Sequence, residues 1–292
     1  MSNKVNLIGL GVMGRPMARN LVKAGFDVVS FTPSPGSRER ARGDGLVVVD
    51  ALGDLPPGPD FVITVVPDSP QVEEVLFADD GPVARSAEHT IFVDMSTIAP
   101  GAARAIGARL GESGRRFLDA PVSGGESGAI AGILSIMVGG DAAAFDKVKP
   151  VLACMGKSVT LIGGSGAGQV TKACNQILTG VGVMAVAEAL NFARKSGVDA
   201  GRVREALLGG FAYSRILENH GQRMLDRNFK PGFKAWMHQK DMNIVLQEAH
   251  RLGLMLPTSA ASAQLFNAMV GSGLGEEDSV AALKLLEALS GE

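Results

Sequence analysis

The chain has 292 residues, 28 of them basic and 30 acidic, a formal net charge of −2, and 46% hydrophobic content. At about 150 residues per domain this length suggests two domains, each able to bury a core without staples. Near-neutral charge provides no electrostatic footprint for nucleic acid or an anionic membrane, and the two cysteines and four histidines have no disulfide or metal-site spacing.

In chain order, the first half alternates β-branched runs with helical patterns. Strands are expected at Val5–Ile8, Val28–Phe31, Phe61–Val66, Ile91–Asp94 and Phe117–Asp119. Met13, Met17, Leu21 and Ala24 recur at helical spacing, with Pro16 in the first turn and Gly25 as the C-terminal cap. Such alternation predicts a parallel sheet covered on both faces. Two further runs, Leu134–Val138 and Ser158–Ile162 around a helix at Ala142–Leu152, extend that sheet. The 38 glycines are spread along the chain and read as turns and close backbone approaches rather than a linker.

From Ala167 onward no alternating strand pattern appears. Val170–Arg194 reads as one long helix rich in small residues, and a buried helix with close neighbours fits it. Membrane insertion is disfavoured by Lys172, Asn175, Gln176 and Glu188. Further helices are expected at Gly201–Leu208, Arg215–Leu225, Asp241–Leu252 and Ser259–Val270. The domains are therefore expected at 1–164 and 165–292. The N-terminal residues show no secretory h-region, and with so few cysteines the expected compartment is the cytoplasm.

Gly9-Leu10-Gly11-Val12-Met13-Gly14 is a GxGxxG segment at the end of the first strand, opening a helix. The first glycine makes the tight turn, the second admits a pyrophosphate, and the third packs helix on strand. A nicotinamide dinucleotide is the expected cofactor. An NAD-preferring site usually carries an acid at the end of the second strand, about 20 residues on. Here that end reads Phe31 to Arg38 without an acid, so Thr32, Ser34 and Arg38 are candidates to hold a 2′-phosphate. NADP is accordingly favoured over NAD. A plain Ser/Pro-rich surface turn is the alternative.

Lys172, Asn175 and Gln176 stand at i, i+3 and i+4, on one helical face. A desolvated lysine can protonate a carbonyl oxygen that receives hydride. A solvated helix-start lysine with two polar neighbours is the competing reading. Ser123-Gly124-Gly125 follows a strand end, where α/β folds bind ligands. Unshielded backbone N–H groups there suit a small carboxylate, although an ordinary glycine turn has the same appearance.

The chain resembles the β-hydroxyacid dehydrogenase family at several motifs in order. These are Gly9 to Leu21, Asp94-Met95-Ser96-Thr97-Ile98-Ala99-Pro100, Asp119 to Gly125, Gly168-Gln169-Val170-Thr171-Lys172, and Lys240-Asp241. The resemblance implies an N-terminal Rossmann-type doubly wound sheet, a long interdomain helix, an all-α C-terminal domain and a homodimer or homotetramer. It implies Lys172 as proton donor. Ser123, Gly124, Gly125, Asn175 and Gln176 would bind substrate, and Val66, Pro67, Thr97 and Lys240 would contact the cofactor. Asn175-Gln176, Asp226 to Phe233, Val66 to Pro70 and Gly124-Gly125-Glu126 are similar to the branch that reduces 2-hydroxy-3-oxopropanoate (tartronate semialdehyde) to glycerate. Other short-chain semialdehydes, such as that of 3-hydroxyisobutyrate, are the enzymatic alternative. A nucleotide-binding regulatory protein is the non-enzymatic one. Thr32-Pro33 departs from the acid or Asn-Arg pair common in relatives, so the family does not set the cofactor preference.

Overall fold

The β-branched runs of the first half lie side by side in one sheet. In the computed structural model, which describes residues 3–291, the strands are β1 (Lys4–Ile8), β2 (Asp27–Phe31), β3 (Val47–Val48), β4 (Phe61–Thr64), β5 (Ile91–Asp94), β6 (Arg116–Asp119), β7 (Val122–Ser123), β8 (Leu134–Gly140) and β9 (Gly156–Gly163). Their order is β3-β2-β1-β4-β5-β6-β8-β7, with β9 paired to β8. Strands β1 to β6 are mutually parallel, in a register that aligns Ile8 with Phe31 and Thr64, and Thr64 with Asp94.

Helices in this half are α1 (Gly14–Lys23), α2 (Pro35–Gly43), α3 (Ser69–Phe77), α4 (Pro82–Arg85), α5 (Pro100–Glu112), α6 (Gly125–Ala131) and α7 (Ala142–Ala153). Alternate strand residues separate into two apolar cores, as period-two geometry requires. Leu7, Ile63, Val93 and Leu118 pack with Met17 and Leu21 of α1 and Val148 of α7. Their neighbours Ile8, Val62, Phe92 and Phe117 pack with Val72 and Leu76 of α3 and Ile106 and Leu110 of α5. This is the doubly wound arrangement.

One strand departs from the all-parallel expectation. β8 runs antiparallel to both β6 and β7. A parallel return needs a crossover of about a dozen or more residues, usually a helix. Between β6 and β8 lie β7, which pairs back on β8, and the seven-residue α6, and β8 returns antiparallel. The 12-residue α7 does provide such a crossover, and β9 is parallel to β8.

The chain divides into two compact units, the first ending at Lys172 and the second beginning at Ala173. The second is helical: most of the 29-residue α8 (Ala167–Lys195), whose first residues belong to the first unit, then α9 (Ala200–Leu208), α10 (Gly221–Leu225), α11 (Ala235–Leu252), α12 (Pro257–Gly271) and α13 (Ala282–Leu289). Its core joins Val183, Met184, Ala187 and Leu190 of α8 to Met242, Phe266, Met269 and Leu283. α8 has the length and hydropathy of a membrane span, but Val183, Met184, Ala187 and Leu190 are buried in protein. The small residues let neighbours approach closely: a Cβ on Gly180 would lie 2.7 Å from the Met242 sulfur. The expected helix over 215–225 is a π-helical turn at Ile216–His220 followed by α10. α11 begins at Ala235 rather than Asp241.

Candidate active site

The GxGxxG segment lies where β1 ends and α1 begins. Gly9 has φ +104°, and its N–H donates to the Phe31 carbonyl at 2.8 Å. A Cβ on Gly9 would sit 2.1 Å from the Val65 oxygen, and one on Gly14 would sit 1.9 Å from the Gly9 oxygen. A Cβ on Gly11 would meet nothing within 4 Å. Gly11 and Val12 are exposed, Met13 is half-buried, and Leu10 is packed in the core. Two glycines are thus required by the fold, while the middle one leaves open backbone at a helix N-terminus. That is the cradle a dinucleotide pyrophosphate fits.

At the end of β2, Thr32 is buried and Ser34 caps α2 by accepting the Ser37 N–H. Arg38 Nη1 donates to the carbonyls of Thr32 and Pro33 at 2.9 and 3.0 Å, and its Nε lies 3.4 Å from Asp50. The Arg38 guanidinium therefore braces the turn on which Thr32 and Ser34 stand.

The ends of β4, β5 and β6 share a buried polar network. Asp94 accepts from Thr64 Oγ1 at 2.7 Å and from the Ser96 N–H at 3.2 Å. Ser96 Oγ accepts the Val66 N–H at 2.9 Å. Burial drives the Asp94 carboxyl up to about 6, against these hydrogen bonds. Asp119, opposite Asp94 in the β5–β6 register, is also raised by burial, opposed by the backbone N–H groups of Gly166 and Gln169. Those two donors lie 2.7 and 2.9 Å from its carboxylate oxygens. Asp119 thus caps α8 from a different element. Gln169 Nε2 donates to the Ser96 carbonyl at 2.8 Å and its Oε1 accepts the Ile98 N–H at 3.2 Å, so its amide spans Thr97. Lys172 follows one turn later and is 7% exposed.

Ser123 pairs with Ser135 across β7 and β8. Gly124 and Gly125 have φ +136° and +63°, conformations that favour glycine. Asn20 of α1 donates to the Ala129 carbonyl of α6 at 2.7 Å, tying the helix after this loop to the dinucleotide helix.

In the second unit, Asn175 Nδ2 donates to Gln176 Oε1 at 2.7 Å, and Gln176 Nε2 donates to Asp241 Oδ2 at 2.6 Å. Asp241 Oδ1 lies 3.0 Å from Lys240 Nζ. One chain of contacts thus links Asn175, Gln176 and Lys240, three residues singled out in the sequence, through Asp241. Asp241, expected as a helix-start acid, stands in the second turn of α11 and serves as the acceptor of that chain.

Residues 4–163 match the family described as the NAD binding domain of 6-phosphogluconate dehydrogenase. Residues 166–286 match the one described as NAD-binding of NADP-dependent 3-hydroxyisobutyrate dehydrogenase. The chain is 47% identical over 287 residues to 2-hydroxy-3-oxopropionate reductase of Escherichia coli, covering 98% of each. The chain belongs to the β-hydroxyacid dehydrogenase family. Its members are oxidoreductases acting on CH–OH with nicotinamide cofactors, and this chain is one of them. A further family relative is NAD-dependent L-serine dehydrogenase of Pseudomonas aeruginosa, 34% identical over 299 residues, covering 99% of each. Among solved structures, 3-hydroxyisobutyrate dehydrogenase of Mycobacterium tuberculosis with L-serine matches at a TM-score of 0.89 and 31% identity, covering 98% of this chain and 99% of that one. The family fold has the Rossmann-like sheet and helical C-terminal part seen here.

Sequence reasoning quoted Asn20, Asp94, Asp119 and Gln169 inside motifs without giving them a task. Asp94 and Asp119 carried the same signal, a carboxylate ending an apolar strand. The distance from Asp119 to α8 along the chain hid its partner.

Proposed function

We propose that the chain reduces 2-hydroxy-3-oxopropanoate to glycerate, with Lys172 as proton donor and NADPH used at least as well as NADH. The observation that carries the substrate is the 47% identity, across 98% of both chains, to a reductase named for that compound. When bound, the reduced nicotinamide supplies hydride to the aldehyde carbon. The chain's own residues do the rest. Lys172, largely withdrawn from water, gives its Nζ proton to the carbonyl oxygen as that oxygen becomes an alkoxide. Ser123 and the backbone of Gly124 and Gly125 hold the carboxylate. Asn175 takes the hydroxyl, and Gln176, with its oxygen on Asn175 and its nitrogen on Asp241, fixes the Asn175 amide and completes the polar set. Gly9 to Gly14 hold the pyrophosphate, with Val66, Pro67 and Thr97 on the nicotinamide and ribose side and Lys240 reaching the cofactor. Thr32, Ser34 and Arg38 meet the 2′-phosphate; β2 itself ends without a carboxylate, and Asp50 lies 3.4 Å from Arg38 Nε.

The test is consumption of NADPH with a panel of semialdehydes, run on the unmodified chain and on Lys172→Ala and Lys172→Arg. The panel should single out 2-hydroxy-3-oxopropanoate. Both variants should lose about 10²–10⁴-fold in turnover while still binding cofactor, because general acid catalysis is worth that much and a guanidinium does not release its proton near neutral pH. Near-normal turnover in either variant removes the lysine from the mechanism.

A further inference from the structure

The first turn of α8 is held at two points that no side chain of the proposed chemistry needs for itself. Asp119 takes the Gly166 and Gln169 N–H groups on its two oxygens. Gln169, 1% exposed, uses both ends of its amide on the backbone either side of Thr97. The fit leaves no slack. A Cβ on Gly168 would lie 2.4 Å from the Met137 oxygen and 2.6 Å from the Asp119 oxygen, and one on Gly139 would lie 2.6 Å from Asp119 Oδ1. A buried helix start could be capped by Asp119 alone. The amide of Gln169 adds a two-bond register between the helix and the Ser96–Ile98 segment, and on a helix Lys172 is the i+3 neighbour of Gln169 on the same face.

We propose that Gln169 is a positioning residue that sets Lys172 against the Thr97 segment, with Asp119 fixing the helix start beneath it. The proposal rests on the reading of Lys172 as proton donor. Ser96 joins the two ends of the arrangement, since its carbonyl holds Gln169 and its hydroxyl holds the Val66 N–H. The segment that approaches the cofactor and the helix that carries the proton donor are thereby registered through one serine. A proton donor displaced by about 1 Å can lose ~10²-fold in rate, so the amide's effect should appear in turnover rather than in binding.

The experiment is a double-mutant cycle between Gln169→Leu and Lys172→Ala, read as kcat, KM for the semialdehyde and Kd for NADPH. Gln169→Leu should lower kcat about 10–100-fold, with KM and Kd within threefold of the parent chain. The double variant should be no slower than Lys172→Ala alone, because Gln169 acts through the lysine. Gln169→Glu is the second variant, available if the leucine chain does not fold. Protonated, it can donate to the Ser96 carbonyl and accept from Ile98. Ionised, it faces the carbonyl with a carboxylate. Its kcat relative to the parent should therefore rise as pH is lowered. Three results overturn the proposal: kcat of Gln169→Leu within threefold of the parent, losses that multiply in the double variant, or a Gln169→Glu ratio that is flat with pH. A Lys172→Ala chain that keeps its turnover instead overturns the proton-donor reading, and the cycle reports that on its own arm.

Discussion

Gly11 and Gly14 separate the demands of a cofactor from those of the fold. At Gly11 a methyl would meet no protein atom within 4 Å, and the backbone is not in the left-handed region. Gly11→Ala should therefore leave stability unchanged or raise it by about 0.4–1 kcal/mol, since alanine restricts the unfolded chain. A bound pyrophosphate would meet that methyl. Pushing one phosphate oxygen out of hydrogen-bond range forfeits a charge-assisted bond worth about 1.5–3 kcal/mol, roughly 10–150-fold in Kd. Gly14→Ala behaves in the opposite way. Its Cβ would lie 1.9 Å from the Gly9 oxygen and 3.4 Å from the Val65 Cβ, so backbone must move, at a cost of roughly 1–3 kcal/mol or more. Urea unfolding reads the first quantity and fluorescence titration with NADPH the second. A Gly11→Ala chain that binds NADPH with parental affinity would refute the cradle.

Two further outcomes follow from the same geometry. Asp94 titrates near 6 in the folded chain because it is buried, against an ordinary value of ~3.9. For a carboxyl raised on folding, stability is greatest below the ordinary value and is lost as pH rises toward the folded one. The chain should lose on the order of 3 kcal/mol between about pH 4 and 6, and Asp94→Asn should flatten that part of the curve in urea titrations; a parental curve already flat there contradicts it. Arg38→Ala should weaken NADPH more than NADH in parallel binding titrations. Some loss of NADH is also expected, because Arg38 braces the Thr32 and Pro33 carbonyls; equal losses would place the 2′-phosphate elsewhere.

Periodicity carried most of the architecture. The runs ending at Ile8, Phe31 and Asp94 became strands within a residue or so of their expected limits, because a strand buried on both faces is written locally as an apolar run. Local pattern failed where the deciding group is remote. α8 starts at Ala167, not Val170, since its cap is the Asp119 carboxylate on β6. α11 starts at Ala235, six residues before the acid that seemed to open it. The antiparallel course of β8 was not legible, because strand composition does not record strand direction. At the site, Lys172, Asn175 and Gln176 were legible as one helical face. The clasp that Gln169 makes on Ser96 and Ile98 joins residues 71 and 73 positions apart, and a single sequence does not show such a pairing.

The substrate assignment is the central claim, and paired kinetics on two acids tests it most directly. Glycerate and 3-hydroxyisobutyrate differ in bearing a hydroxyl or a methyl beside the carboxylate. A site built to hydrogen-bond a hydroxyl strongly rejects an analogue without it, since its own polar groups are left unpaired, whereas a site built around a methyl discriminates by only about 1–3 kcal/mol. Asn175, held by Gln176, offers more polar equipment than a carboxylate alone requires. With NADP as acceptor at one pH, kcat/KM for oxidation should favour glycerate. Equal values, or a preference for 3-hydroxyisobutyrate, would contradict the account and move the chain to another branch of its family.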